Sequence, residues 1–197
     1  MSQAQNDAVL IRQCQGGDRS AFDALVHAYE AKAFQYAMRL TRDSDLAADI
    51  VSEAFVRVYN SIGNFRGQSA FGTWLYRILT NCYLDNRKRD KSRFNTSLDS
   101  TVQIESGEVE RQFQDDRPGP DEEAERSARE NAIQEALSQM PEYQKAMLVM
   151  YHVENLSYED IAEALDLPLG TVKSRLNRAR LSLRDLLSTN MELFQVN

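Results

Sequence analysis

The residues of this chain best suited to binding another molecule form a basic row near the C-terminal end. The segment 173–184 contains five basic residues and no acidic one. Guanidinium, ammonium, hydroxyl and amide groups of this kind donate hydrogen bonds to the base edges and phosphates of duplex DNA. An apolar stripe leaves the following polar positions on the outside: Thr171, Lys173, Ser174, Arg175, Asn177, Arg178, Arg180 and Arg184.

Two short helices joined by a turn are predicted to carry this row. Ser157 and Asp160 form a capping-box-like start for the first helix, and the segment 166–170, Asp-Leu-Pro-Leu-Gly, ends it. Pro168 suits the first turn of the second helix. The pattern indicates a helix-turn-helix whose second helix enters the DNA major groove. Apolar residues recur at helical spacing in both helices: Ile161, Ala162 and Leu165, then Val172, Leu176, Ala179 and Leu183.

A solvated amphipathic helix in an ordinary bundle is the alternative interpretation of this basic row. Three features favour DNA binding instead. They are the short helix before the row, the Pro-Leu-Gly-Thr turn at 168–171, and the lack of a Glu at i+4 spacing that would neutralise the arginines.

A second group of residues with binding chemistry lies between positions 63 and 93. Rings beside a cationic track suit single-stranded nucleic acid, whose unstacked bases lie on aromatic faces. The alternative is an aromatic core face on a helix whose basic C-terminus complements the helix dipole. The second DNA-binding segment in the same chain favours the first interpretation. The aromatic residues are Phe65, Phe71, Trp74, Tyr76 and Tyr83, with Arg66, Arg77 and Asn81 between them, followed by five basic residues within 87–93.

No catalytic or metal site is indicated by the sequence. The two histidines, His27 and His152, lie in separate parts of the chain, where packed or surface roles are expected. The sequence shows no glycine-rich phosphate loop, no carboxylate dyad and no nucleophile–base pair. We therefore expect no cofactor, no metal and no small-molecule substrate, and an enzyme that acts on nucleic acid is disfavoured.

The net charge of −7 is unusual for a DNA-binding chain, but it is unevenly distributed. The segment 94–131 holds eleven acidic residues and four arginines, and the remaining chain has 19 residues of each sign. Affinity for nucleic acid depends on local neutralisation of phosphates, so the total charge does not exclude it. The sequence favours a cytoplasmic protein. It shows no export signal and no apolar run of about 18 residues, and its two cysteines, Cys14 and Cys82, are isolated.

The predicted fold class is all-α, with two small helical domains joined by a flexible acidic linker. The N-terminal domain spans 1–93, the linker 94–131, and the C-terminal four-helix domain with the helix-turn-helix 132–197. The linker is expected to be mobile, although 121–131 can already start a helix. Six other helices are predicted, the first with Asp7 as its cap: Asp7 to Gln15, Asp18 or Ser20 to about Leu40, Leu46 to about Ile62, Ala70 to about Lys91, Ala132 to Met140, and Glu142 to about His152. Residues 188–197 are predicted to form a frayed tail.

Three strings of residues, in this order, resemble the extracytoplasmic-function (ECF) sigma factors, which are promoter-specificity subunits of bacterial RNA polymerase. The strings are DLAADIVSEAFVRVY at 45–59, FRGQSAFGTWLYRI at 65–78, and LSYEDIA at 156–162 with GTVKSRLNRAR at 170–180. The resemblance implies a protein that binds core RNA polymerase, recognises −10 and −35 promoter elements, and promotes promoter melting and transcription initiation of a specific regulon.

The resemblance also implies a role for each group of polar residues. Asp49 and Glu53, part of an acidic i, i+4 row on one helix, fall where family members bind the polymerase clamp. The linker would pass through the polymerase near the RNA exit. The −10 element would be contacted by the loop residues Phe65, Arg66, Ser69 and Ala70, which capture a flipped base, and by Arg77, Asn81, Arg87 and Lys88. The −35 element would be contacted by Thr171, Lys173, Ser174, Arg175, Asn177 and Arg178.

Family members are usually silenced by an anti-sigma protein, often membrane-bound. The resemblance therefore implies three partners, namely core RNA polymerase, promoter DNA and an anti-sigma factor. A helix-turn-helix regulator that binds duplex DNA alone is the alternative function. Such regulators normally carry a ligand or receiver domain, and residues 1–93 resemble neither.

Overall fold

The computed structural model describes residues 3–96 and 120–188. This part of the chain folds into eight α-helices and one 3-10 turn, without a strand, so the predicted all-α class is confirmed. Most of the predicted linker, at 97–119, and the predicted tail from 189 onward lie outside the described residues. The helices are α1 Gln3–Gln15, α2 Arg19–Thr41, α3 Ser44–Ser61, α4 Phe71–Thr96, α5 Pro120–Ser138, α6 Glu142–His152, α7 Tyr158–Leu165 and α8 Leu169–Leu187, with the 3-10 turn at Ile62–Asn64.

Short polar side chains begin three of these helices. Asp18 caps α2 by accepting hydrogen bonds from the backbone N–H groups of Ser20 and Ala21, and Asp43 caps α3 in the same way. Ser157 and Asp160 form the predicted capping box at the start of α7, each accepting from the other's backbone N–H. The helix starts predicted at Asp18 and Ser157 are thereby confirmed, and all three caps use only neighbouring residues.

One predicted helix start is wrong, and another falls where the sequence left a choice. Asp7 does not cap α1, because the helix begins at Gln3 and Asp7 lies within it, 6% exposed. The buried Asp7 carboxylate accepts hydrogen bonds from Tyr29 Oη at 2.5 Å and from Gln3 Nε2 at 2.9 Å. Helix α5 starts at Pro120, in agreement with the prediction that 121–131 can already start a helix, and it continues into the C-terminal block.

The N-terminal block, α1 to α4, encloses one apolar core. Its fully buried residues include a tyrosine whose hydroxyl needs a partner in this setting. Tyr36 Oη lies 2.7 Å from Thr80 Oγ1, which satisfies both hydroxyls inside the core. Burial of apolar side chains, at about 25 cal/mol per Å², is the main stabilising contribution here. The largest buried apolar side chains of this block are Leu25, Leu40, Ile50, Val58 and Leu79.

The buried side chains of the C-terminal block, α5 to α8, belong to the same apolar cluster, and methionines of α6 fill the space beneath the helix-turn-helix. Val172, Leu176 and Ala179 are fully buried, as the helical spacing predicted, and Leu183 is half-buried. The opposite side of α8 is thereby directed to the surface. The other fully buried large residues are Met147, Met150 and Ile161.

The two blocks pack against each other, with α2 and α4 of the first facing α6 and α7 of the second. Lys145, on α6, is 5% exposed. Its Nζ donates to the Leu40 carbonyl oxygen at 3.3 Å, in the last turn of α2, where backbone carbonyls lack helical partners. Burial lowers the pKa of Lys145, and Glu142, 3.5 Å away, opposes that shift.

Candidate nucleic-acid interface

Helix α8 presents its predicted DNA-binding residues on one open face. Five of the six predicted positions are exposed, and Thr171 is half-buried. Ser174 Oγ donates to the Thr171 carbonyl oxygen at 3.0 Å, and the Arg175 guanidinium lies 5.2 Å from the centre of the Tyr143 ring. The five exposed residues are Lys173, Ser174, Arg175, Asn177 and Arg178.

Arg180 was predicted to lie on the outer face of α8, but it packs against α6 instead. Its Nε donates to His152 Nε2 at 3.1 Å, and its guanidinium lies 4.5 Å from the centre of the Tyr151 ring. Tyr151 and Tyr158 stack beside it, with ring centres 5.0 Å apart. The long apolar stem and flat charge of arginine suit such an aromatic surface, so Arg180 is half-buried and braces α8 against α6.

The aromatic residues around the start of α4 divide into core and surface. Phe71 is 2% exposed and Tyr83 is fully buried, so the prediction that these two rings lie open beside a cationic track is wrong. They follow the alternative, an aromatic core face: the Phe71 ring packs against Tyr29 of α2, with ring centres 5.0 Å apart, and the Tyr83 hydroxyl donates to Glu142 of α6. Phe65 and Trp74 are half-buried, with ring centres 4.8 Å apart.

A cavity of about 370 Å³ lies between α1 and the loop 65–70. Of the predicted loop residues, Arg66 and Ala70 are exposed and Ser69 is half-buried. Gly67 has a φ of +66°, a left-handed conformation that favours glycine and lets the loop turn back towards α4. The predicted loop residues all line this cavity, together with Asp7, Ile11, Arg12 and Gln15 from α1.

Gln15 was not predicted to contribute to this site. Its Nε2 donates to the carbonyl oxygens of Ile62, at 3.1 Å, and Phe65, at 2.9 Å. The sequence shows only that Gln15 precedes Gly16-Gly17, which indicates the end of a helix. A partner 50 residues away has no local signal.

The predicted −10 residues on α4 have two different environments. Asn81 and Lys88 are exposed. Arg77 and Arg87 instead face carboxylates of the C-terminal block, Arg77 at 3.9 Å from Asp166 and Arg87 at 3.4 Å from Glu142. The structure therefore places the four residues on one helix, with the Arg77 side chain still 42% exposed beside Asp166 and the Arg87 side chain 33% exposed beside Glu142.

The predicted acidic row on α3 is partly neutralised within the chain. Asp49 is exposed, whereas Glu53 is half-buried and accepts from Arg57 at 2.6 Å. Arg57 also contacts Asp85 of α4 at 3.1 Å. Two apolar residues stand out on the same helix, Val56 at 60% and Tyr59 at 48% exposure. The Tyr59 ring packs edge-on against Phe22 of α2, with ring centres 5.0 Å apart.

The side chains described in the structure form no cluster of three or more His, Cys, Asp or Glu suited to a metal ion. Among the described helices, none combines the length and the hydropathy needed to cross a membrane.

Two family descriptions match this chain, one for each helical block. Residues 25–94 match the family described as Sigma-70 region 2, and residues 130–183 match the family described as Sigma-70, region 4. The first match covers α4 and the loop before it, and the second covers the helix-turn-helix.

Curated relatives are similar over nearly the whole chain. The RNA polymerase sigma-H factor of Pseudomonas aeruginosa is 38% identical over 181 residues, which cover 89% of this chain and 91% of the relative. The ECF RNA polymerase sigma-E factor of Haemophilus influenzae is 36% identical over 183 residues, covering 91% and 94%. The ECF RNA polymerase sigma factor SigW of Bacillus subtilis is 34% identical, covering 88% and 92%.

Two solved structures share the fold. The sigma factor RpoE of Bartonella quintana, in complex with the anti-sigma factor NepR, has a TM-score of 0.64 at 21% identity, covering 84% of this chain and 96% of that one. CnrH, in complex with the cytosolic domain of CnrY, has a TM-score of 0.62 at 23% identity, covering 93% and 98%.

Proposed function

Because this chain belongs to the ECF family of RNA polymerase sigma factors, we propose that its two helical blocks divide promoter recognition between them. The protein is a promoter-recognising factor of bacterial transcription initiation, and it is not an enzyme. The proposal concerns which residues perform the recognition. The observation that carries it is the open polar face of α8, opposite a fully buried apolar one.

Recognition of the −35 element is assigned to the open polar face of α8. A helix of this width fits the major groove, where arginine and asparagine side chains distinguish base pairs by hydrogen bonding. Asn177 and Arg178 are adjacent, exposed and suited to base edges. Lys173, one turn earlier, is suited to a phosphate.

The −10 element is assigned to the cavity between α1 and the loop 65–70 and to the open side of α4. The cavity volume of about 370 Å³ is large enough for a nucleobase, and apolar side chains line part of it. Asn81 and Lys88 are exposed on α4 and can bind a neighbouring base and the strand's backbone. This arrangement favours a melted strand over a duplex.

The outer face of α3 is assigned as the surface that binds core polymerase. Asp49 and Glu53 supply negative charge for a basic partner. Val56 and Tyr59 add apolar area at the same face, which gives a docking site a centre that excludes water.

An anti-sigma protein is the remaining proposed partner. Both similar solved structures are complexes, one with an anti-sigma factor and one with the cytosolic domain of CnrY. We propose that this chain is likewise held by an anti-sigma protein that is membrane-associated, and that it acts in the cytoplasm.

Gel filtration with purified core polymerase, followed by run-off transcription from a genomic fragment library, tests the proposal. We expect the chain to co-elute with core polymerase and to direct transcription from a subset of fragments. Specific binding of duplex DNA by the free chain, with no association with core polymerase, would instead support a regulator that acts alone.

A further inference from the structure

The amide of Gln15 joins two parts of the chain that are distant in sequence. Gln15 is the last residue of α1, and Gly17, with a φ of +91°, turns the chain away directly after it. The side chain extends from this helix end to the Ile62 and Phe65 carbonyl oxygens, 47 and 50 residues later. Both hydrogens of one amide group are thereby directed at the segment where the loop 65–70 begins.

These two bonds set the separation between the walls of the cavity. Helix α1 supplies one wall and the loop supplies the other. Phe65 N–H also donates to the Ile62 carbonyl oxygen at 3.1 Å, so the Gln15 amide binds a short turn that is already closed. Loss of the amide would leave the turn closed while removing these two hydrogen bonds to α1.

We propose that Gln15 is a positioning residue for promoter opening, because it holds the loop 65–70 in the shape that accepts an unstacked base. This inference rests on the proposed function of the cavity. An unstacked base costs a few kcal/mol, and a pocket offsets that cost best when its walls are already in place.

The substitution Gln15→Glu tests the inference, because it keeps the side-chain shape and removes both donors. We expect permanganate reactivity of −10 thymines in the polymerase complex to fall about tenfold, in line with the loss of two hydrogen bonds. Binding of −35 duplex should stay within about twofold, since α8 is untouched. A template with a pre-melted −10 bubble should restore transcription.

Gln13→Glu is the matched control, because Gln13 is exposed on the same helix and the charge change is the same. Gln15→Met, which removes the donors without adding charge, replaces Gln15→Glu if that variant does not fold. Normal opening by a folded Gln15 variant overturns the positioning role. Failure of the wild-type chain to bind core polymerase overturns the proposed function instead.

Discussion

Arg39 and Glu154 are 115 residues apart in the chain, and their side chains form an ion pair of 2.7 Å. Arg39 lies in the last turn of α2, and Glu154 lies in the segment between α6 and α7. Tyr76 Oη donates to the other oxygen of the same carboxylate at 2.5 Å. The near-buried Glu154, from the C-terminal block, thereby contacts two helices of the N-terminal block, α2 and α4.

The pairing of Arg39 with Glu154 is expected to contribute to stability. Arg39→Met and Glu154→Gln should each lower the free energy of unfolding by about 1–3 kcal/mol, because each leaves a charged partner unpaired. The double variant should lose less than the two single losses added together, by about 1 kcal/mol. Urea unfolding of the four proteins measures this, and strictly additive losses would contradict the pairing.

The docking face of α3 is best tested at Asp49. Asp49→Lys should weaken binding to core polymerase at least about tenfold, because like charges across an interface cost several kcal/mol. Glu53 is left unchanged in this test because it also holds Arg57, so its loss would disturb a contact with α4. A pull-down with Asp23→Lys, exposed on α2, is the control. Unchanged affinity of Asp49→Lys would indicate a solvated face.

The middle and the C-terminal end of α8 are expected to contribute differently to DNA binding. Arg178→Ala should cost about 1–3 kcal/mol and relax the preference at one −35 base pair, as loss of a bidentate base contact does. Arg184→Ala should weaken binding equally across sequences and reduce its salt dependence. Arg184 already lies 2.9 Å from Asp185, so its effect should be the smaller one. Identical sequence profiles for both variants would refute this division.

Asn81 is expected to act in promoter opening. Asn81→Ala should spare −35 binding and reduce permanganate reactivity of −10 thymines, because the exposed amide would no longer bind an unstacked base. A pre-melted bubble template should partly rescue transcription. Normal reactivity and full transcription from the closed duplex by the folded variant would remove Asn81 from the site.

His152 is expected to make stability depend on pH. Partial burial and the adjacent Arg180 guanidinium lower the pKa of His152. In the unfolded chain His152 takes up a proton at about pH 6.5, whereas in the folded chain it does so only at lower pH. The stabilising contribution is therefore complete above about pH 6.5 and is lost as the pH falls towards the folded pKa. In the His152→Gln variant, the free energy of unfolding measured with denaturant between about pH 5 and 8 should not show this decline at low pH. An equal decline in both proteins would contradict it.

The sequence by itself determined the features that depend on near neighbours. The caps at Asp18, Asp43 and Ser157 bond to backbone groups two or three residues away. The faces of α8 follow from a helical repeat, since burial of Val172 and Leu176 directs the residues between them outward. The family resemblance rested on the same local strings.

Only the tertiary structure decided the roles of residues whose partners are distant in sequence. Asp7 suits a helix cap but is buried because Tyr29, on another helix, supplies a hydrogen bond. Arg180 belongs by spacing to the basic face, yet the aromatic residues of α6 and α7 hold it. Arg87 carries a charge suited to DNA but faces Glu142. In each case the polar side chain has a partner on another helix, which the hydrophobic periodicity of its own helix does not reveal. The interaction with that partner, rather than the local sequence, determines where the side chain lies.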